Sequence, residues 1–303
     1  MLAPAFLFFA AFTIFPLIFT AYVSLSAWNI GGRHIFIGLA NYRSILGDIT
    51  YLLSLRNTVL FTLATTFIEY VLGFGIAYLV NGVARWQRPI RLAVLLPMLL
   101  TPIVVGFIWK MMLDPSFGPI DSVLRHLGLP RINWLSSAVP AFMGIVLADT
   151  WEWTPFMFLI LFAGLRSLPT EPFESARVDG ASPWRIFWDL TFPLMIPASA
   201  AAILLRSVES FKLFDIVYLI TAGGPGVATS TVSLDAYFTG LRAGDLGSAA
   251  AMTIILLIIV IVVTMSFLQL VARFGQSKMR PLSSPKDLAS SRANSRTQVH
   301  ETR

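Results

Sequence analysis

The chain has 303 residues, 56% of them hydrophobic and 13% charged, and a mean hydropathy of +0.75. A water-soluble fold of this composition would lack polar surface, and no polar interval is long enough for a separate soluble domain, so one integral membrane domain is expected over residues 1–280. The formal charge of +6 comes from basic residues that flank apolar runs without interleaved stacking aromatics, which argues against nucleic-acid binding. With no cysteine and three scattered histidines, His34, His126 and His300, neither disulfides, a metal centre nor a cofactor is expected.

A helix rises about 1.5 Å per residue, so about 20 apolar residues cross a hydrocarbon core. Six segments qualify, approximately 2–27, 57–82, 91–113, 139–165, 197–221 and 247–272. Each must be helical, because lipid offers no partner to open backbone groups. The first has no basic residue before it and exceeds a signal-peptide core in length, so it reads as a retained span.

Lys and Arg alternate in density between the gaps. Arg85, Arg88, Arg91, Arg166, Arg177, Arg185 and the basic tail outweigh Arg33, Arg43, Arg56, Arg125, Arg131 and Arg242. The positive-inside rule then puts both termini in the cytoplasm. Residues 281–303, rich in Ser, Arg and Asn, read as a disordered cytoplasmic tail.

The gap at about 166–196 carries helix punctuation. Thr170 is an N-cap candidate followed by Pro172, with Glu171 and Glu174 at the positive end of the dipole. Gly180 ends this short helix, Ser182 and Pro183 start a second, and Pro193 is expected to stop it. Phe173, Ala176 and Val178 on the first, with Trp184, Phe187 and Trp188 on the second, form apolar faces that need a partner, either the chain's own spans or another subunit.

The segment Glu174 to Ala181, ESARVDGA, followed by Phe187, Leu190, Pro193 and Pro197, resembles the EAA signature of binding-protein-dependent ABC permeases, with Ser175 in place of the middle Ala and Phe192 before Pro193. Ile37 to Arg43, IGLANYR, and Leu219 to Pro225, LITAGGP, resemble two further stretches of the sugar-type permeases in that family. The resemblance implies an all-α permease core of the type I ABC importers, with six transmembrane helices and a cytoplasmic coupling helix, in a bacterial inner membrane. It also implies the partners: a second permease, an ATPase dimer and an extracytoplasmic solute-binding protein. Glu174, Ser175, Ala176, Asp179, Gly180 and Ala181 would couple to the ATPase. No Gly-x-x-x-x-Gly-Lys-Ser/Thr run occurs, so ATP hydrolysis is assigned to a separate subunit and this chain is not expected to be an enzyme.

Ionisable residues inside spans cost about 2.5–3.5 kcal/mol each on insertion scales, so each should face a cavity or a partner. The set is Glu69, Lys110, Asp149, Glu152, Arg206, Glu209, Lys212 and Asp215. In the fifth span the sign alternates every three residues, which allows pairing along the helix as well as a role in transport. Glu152, Trp153 and Phe156, around a mid-span proline, combine aromatic faces with a carboxylate as a pyranose site does, although interfacial packing of Trp151 and Trp153 reads equally from the pattern. Position relative to the Gly-Gly-Pro turn, compared with maltose-transporting members, adds Glu209, Ser210 and Leu213. The implied solute is a carbohydrate or related polyol; acidic residues favour a neutral one, while Arg206 and Lys212 leave a phosphorylated polyol open. An ion-coupled secondary transporter, with Glu69, Asp149 and Glu152 relaying protons, is the competing reading.

Overall fold

The computed structural model describes residues 3–32, 34–83 and 86–278. Arg33, Arg85 and the tail 281–303, on which part of the topology argument rests, lie outside the described residues. In order, the helices are α1 (Phe6–Ser24), α2 (Ala40–Gly47), α3 (Ile49–Gly82), α4 (Gln87–Leu95), α5 (Pro102–Met112), α6 (Pro119–His126) and α7 (Ala138–Arg166). They continue with α8 (Glu171–Val178), α9 (Pro183–Leu194), α10 (Ile196–Ser210), α11 (Asp215–Ile220), α12 (Val232–Tyr237) and α13 (Leu246–Lys278).

Among the described residues, four helices, α1, α3, α7 and α13, are long and apolar enough to cross a membrane, and a fifth span results if α9 and α10, bent by 61°, are taken as one. The two remaining expectations meet broken helices. The stretch 91–113 is divided into α4, a 3-10 turn at Pro97–Leu99 and α5, because Pro97 and Pro102 lack amide donors and Thr101, the residue before Pro102, is held extended. The stretch 197–221 is interrupted between Ser210 and Asp215. Conversely, α3 starts eight residues earlier than the apolar pattern, at Ile49, because the Asp48 carboxylate accepts from the Thr50 amide at 2.8 Å and caps it.

Within residues 3–261, α3 and α7 pack along most of their lengths. Gly73 permits the approach: a Cβ there would lie 2.6 Å from Met157 Cβ and 2.9 Å from the Phe158 amide nitrogen. Two apolar clusters are strung along the pair. Phe61, Val105, Ile145, Ala148 and Val217 form one. Phe74, Met157, Phe158, Met195 and Ala202 form the other. Glu69, Asp149 and Arg206 lie between them in sequence on all three helices that contribute, α3, α7 and α10.

Side-chain amides fasten the connections at one end. Asn41 donates to the Ser24 and Ser26 carbonyls at 2.9 and 3.0 Å, and Tyr42 bonds Ser24 Oγ, so the Gly-Leu-Ala-Asn-Tyr segment clasps the end of α1. Asn57 of α3 donates to the carbonyls of Val227 and Ser230, just beyond the Gly223–Gly224–Pro225 turn, whose Gly224 carbonyl accepts from Thr229. From Val262 the chain forms a second unit, the C-terminal part of α13, whose Val262, Met265 and Leu268 side chains are exposed.

Candidate functional site

A cavity of about 260 Å³ opens where α10 gives way to α11. Irregular backbone is tolerated inside a membrane protein where it lines a polar space, and three of the four residues between these helices do so: Lys212, Leu213 and Phe214 stand on the wall with Asp215, the first residue of α11. The α7 helix contributes Asp149, Glu152 and Trp153 from the turns before Pro155, and α10 contributes Arg206 and Glu209.

The floor is an ion cluster joining three helices. Arg206 Nε lies 2.6 Å from Glu69 Oε2, its Nη2 lies 2.8 Å from Glu69 Oε1, and the same Nη2 also contacts Asp149 Oδ2. All three side chains are at most 1% exposed. The Trp153 ring covers the guanidinium at 4.8 Å, so one indole face is already occupied by a cation. Pairing along the fifth stretch therefore holds for Lys212, 2.8 Å from Glu209, but not for Arg206, which is neutralised across helices. The reason is register: one α10 turn before the break, Arg206 faces the buried α3–α7 seam, while Glu209 points outward and is 44% exposed.

Of the residues expected on the pathway, Glu152, Trp153, Glu209 and Leu213 line the cavity. Ser210 does not: it is buried and its hydroxyl bonds Thr65 at 3.0 Å. Phe156 also stands off the wall, with its ring edge-on to Trp153 at 5.9 Å. Sequence reasoning left out Pro102 and Phe214, which the wall includes, and gave no role to the Arg206 cluster. Glu152 is 3% exposed, and its Oε2, like Asp149 Oδ1, has no hydrogen-bond partner among the described residues. Lys110 is exposed at the last turn of α5 and is not part of this cavity.

At the opposite end of α10 lie α8 and α9. Thr170 occupies the N-cap position of α8 without a side-chain cap, because its backbone is already helical, whereas Ser182 Oγ accepts from the Arg185 amide and caps α9. Pro193 lies inside α9 and does not end it at its own position: a π turn at Phe187–Thr191 precedes it, and the helix runs one residue further before the chain bends after Leu194. Gly180 takes φ of +76° between α8 and α9, the left-handed conformation that favours glycine. Glu174, Ser175 and Asp179 are exposed, and Ala176, Asp179, Gly180 and Ala181 border a hollow of about 270 Å³ facing Arg185 and Asp189. Val178 and Trp184 are 87% and 72% exposed, whereas Phe187 packs against Phe74 and Tyr78 of α3, so the chain's own spans cover these apolar faces only in part.

Several apolar spans, a broken helix bordering a polar cavity and an exposed two-helix loop at the other end define a polytopic membrane permease. Residues 69–276 match the family described as binding-protein-dependent transport system inner membrane component, and the chain belongs to that family. It is 34% identical over 275 residues to the trehalose/maltose transport system permease protein MalF of Thermococcus litoralis, covering 90% of this chain and 92% of that one. It is 33% identical over 274 residues to the sulfoquinovosyl glycerol transport system permease protein SmoG of Agrobacterium fabrum, covering 89% of each. Among solved structures, a bacterial ABC transporter involved in the import of the acidic polysaccharide alginate contains a chain with the same fold, at a TM-score of 0.80 and 20% identity, covering 90% of this chain and 94% of that chain. The protein is a multi-span permease subunit of an inner-membrane transport system.

Proposed function

We propose that this chain forms half of the translocation pathway of an ATP-binding-cassette importer for a carbohydrate or related polyol. The observation that carries the reading is the polar cavity at the α10–α11 break, with carboxylate acceptors and an indole on its wall. Its roughly 260 Å³ falls below the roughly 300–1,000 Å³ usual for a complete ligand pocket, which suits a wall that a second permease completes. Glu152, Trp153, Glu209 and Leu213 are the pathway residues, with Ser210 and Phe156 supporting them from behind. The relatives named for trehalose/maltose and for sulfoquinovosyl glycerol support a sugar-containing solute but leave its charge open.

In this reading α4 and α5 together make the sixth span, residues 1–280 form one permease domain, and both termini are cytoplasmic. The α8 helix is the coupling helix: Glu174, Ser175, Ala176, Asp179, Gly180 and Ala181, with the exposed Val178 and Trp184, meet one subunit of an ATPase dimer, and a loaded solute-binding protein docks at the other end. A carboxylate such as Glu174 suits a charge-assisted bond to an Arg of the ATPase. ATP-driven approach of the coupling helices then opens the cavity outward, and hydrolysis resets it. Membrane-buried carboxylates would also suit ion coupling, but Glu69 and Asp149 are both committed to Arg206.

The test is ATP hydrolysis by the complex in lipid nanodiscs, with and without loaded binding protein, for the wild type and Glu174→Ala. Stimulation that is lost in the variant while the complex stays assembled supports the coupling role. Unchanged stimulation removes Glu174 from it, and failure of any ATPase to co-purify removes the importer reading.

A further inference from the structure

The geometry points to an uncharged solute: the pathway wall given by this chain disfavours phosphorylated, sulfonated and carboxylated sugars and accepts hydroxyl-rich neutral ones. The inference rests on the cavity being the pathway wall and adds the charge of what passes.

Among the described residues, two cations reach the cavity, Arg206 and Lys212. Arg206 is committed. Its Nε and Nη2 are held by Glu69, its Nη2 also by Asp149, and Trp153 covers its face. Turning it toward an anionic solute would leave two buried carboxylates without their counter-charge, a far larger cost than an exposed pair would incur. Lys212 is paired with Glu209 at 2.8 Å in a solvated setting where such pairs are weak, so it is able to swing away. Doing so uncovers Glu209 beside the arriving group.

The wall as a whole decides the sign. Asp149, Glu152, Glu209 and Asp215 face Arg206 and Lys212, four carboxylates against two cations, a formal charge of −2. An anion entering this space meets net repulsion in a setting less polar than water. A neutral polyol meets the reverse. Glu209, 44% exposed on this wall, presents carboxylate oxygens that accept from sugar hydroxyls without needing a cation, and behind it the buried Glu152 Oε2 and Asp149 Oδ1 have no hydrogen-bond partner among the described residues.

The test uses the complete transporter in proteoliposomes, given an equimolar external mixture of maltose, trehalose and glycerol with glycerol 3-phosphate, galacturonate and sulfoquinovose. Mass spectrometry of the lumen, with and without ATP, reads what has entered. Uncharged probes are expected to exceed anionic ones by at least about tenfold, and Glu209→Gln, which frees Lys212, is expected to raise the anionic share by about threefold or more. An anionic probe that dominates in the wild type and is lost in Lys212→Gln overturns the inference, as does an anionic share unmoved by Glu209→Gln. ATP dependence is read separately: accumulation that follows an ion gradient without ATP removes the importer reading, whichever solute enters.

Discussion

Arg206 Nε lies 2.6 Å from Glu69 Oε2, with the two side chains 1% and 0% exposed, at a point where α3, α7 and α10 converge between two apolar clusters. A buried ion pair adds little net stability compared with a well-packed apolar replacement, but removing one partner strands the other. Here the stranded guanidinium would keep Asp149 alone. Glu69→Ala is therefore expected to destabilise the protein by about 3–5 kcal/mol, whereas Glu209→Ala, which breaks the exposed pair with Lys212, is expected to cost about 0–1 kcal/mol. Tryptophan fluorescence during thermal unfolding in detergent measures both, and equal effects would show that the cluster does not hold the three helices together.

Gly73 sets the spacing of the α3–α7 seam. An added methyl would stand 2.6 Å from Met157 Cβ and 2.9 Å from the Phe158 amide nitrogen, and backbone does not yield as a flexible side chain would. Gly73→Ala is expected to cost about 1–3 kcal/mol by forcing the helices apart. Gly75→Ala, two residues on and with no heavy atom within 4 Å of an added Cβ, is the matched control and is expected to be neutral or slightly stabilising. Thermal midpoints of the two variants that coincide would refute the close-packing argument.

The long apolar runs that became α1, α3, α7 and α13 were legible because hydrophobic length alone identifies a span. The broken ones were not, since a window from 91 to 113 sums to the same hydropathy whether Pro97 and Pro102 kink a helix or end it. Glu152, Trp153 and Glu209 were legible as cavity residues because charge and aromatic chemistry inside a span needs an explanation, whereas the aliphatic Leu213 was legible only through the resemblance to maltose-transporting permeases. Ser210 and Arg206 show the limit. Residues three or four apart share a helix face only approximately, and sequence spacing does not say which of Arg206, Glu209 and Ser210 turns toward the α3–α7 seam. The sign alternation from Arg206 to Asp215 suggested local pairing, and only the fold reveals that Glu69, 137 positions earlier, supplies the counter-charge. The docking role proposed for α8 rests mainly on the family signature, because an exposed apolar face does not name what covers it.

Gly180 links α8 to α9 with φ of +76° and nothing within 4 Å of an added Cβ. A substitution there meets dihedral strain without a clash. Gly180→Ala is expected to cost about 1–2 kcal/mol locally. Because the strain falls on the hinge between two exposed helices, the expected signature is reduced solute-stimulated ATP hydrolysis at nearly unchanged thermal stability of the spans. A variant that keeps full stimulation would show that this turn tolerates a side chain and plays no part in transmitting motion.

Asp235, in α12 outside the spans, is partly buried, and burial raises its carboxyl above the ordinary aspartate range, opposed by the hydrogen bond from Ser230 Oγ at 2.5 Å. The folded state thus holds this proton more tightly than the unfolded chain does. By linkage the contribution to stability is greatest below the unfolded pKa, declines as pH rises through the window between the unfolded and folded values, and is a constant penalty above both. Asp235→Asn removes the charge while retaining an oxygen that accepts from Ser230. The variant is expected to match the wild type at about pH 2.5, below the ordinary aspartate range, and to have the higher thermal midpoint at pH 7. Midpoints measured across that range decide it: a variant less stable than the wild type at pH 7 would mean that the carboxylate at this position is favoured by the fold, and the sign of the burial argument would be reversed.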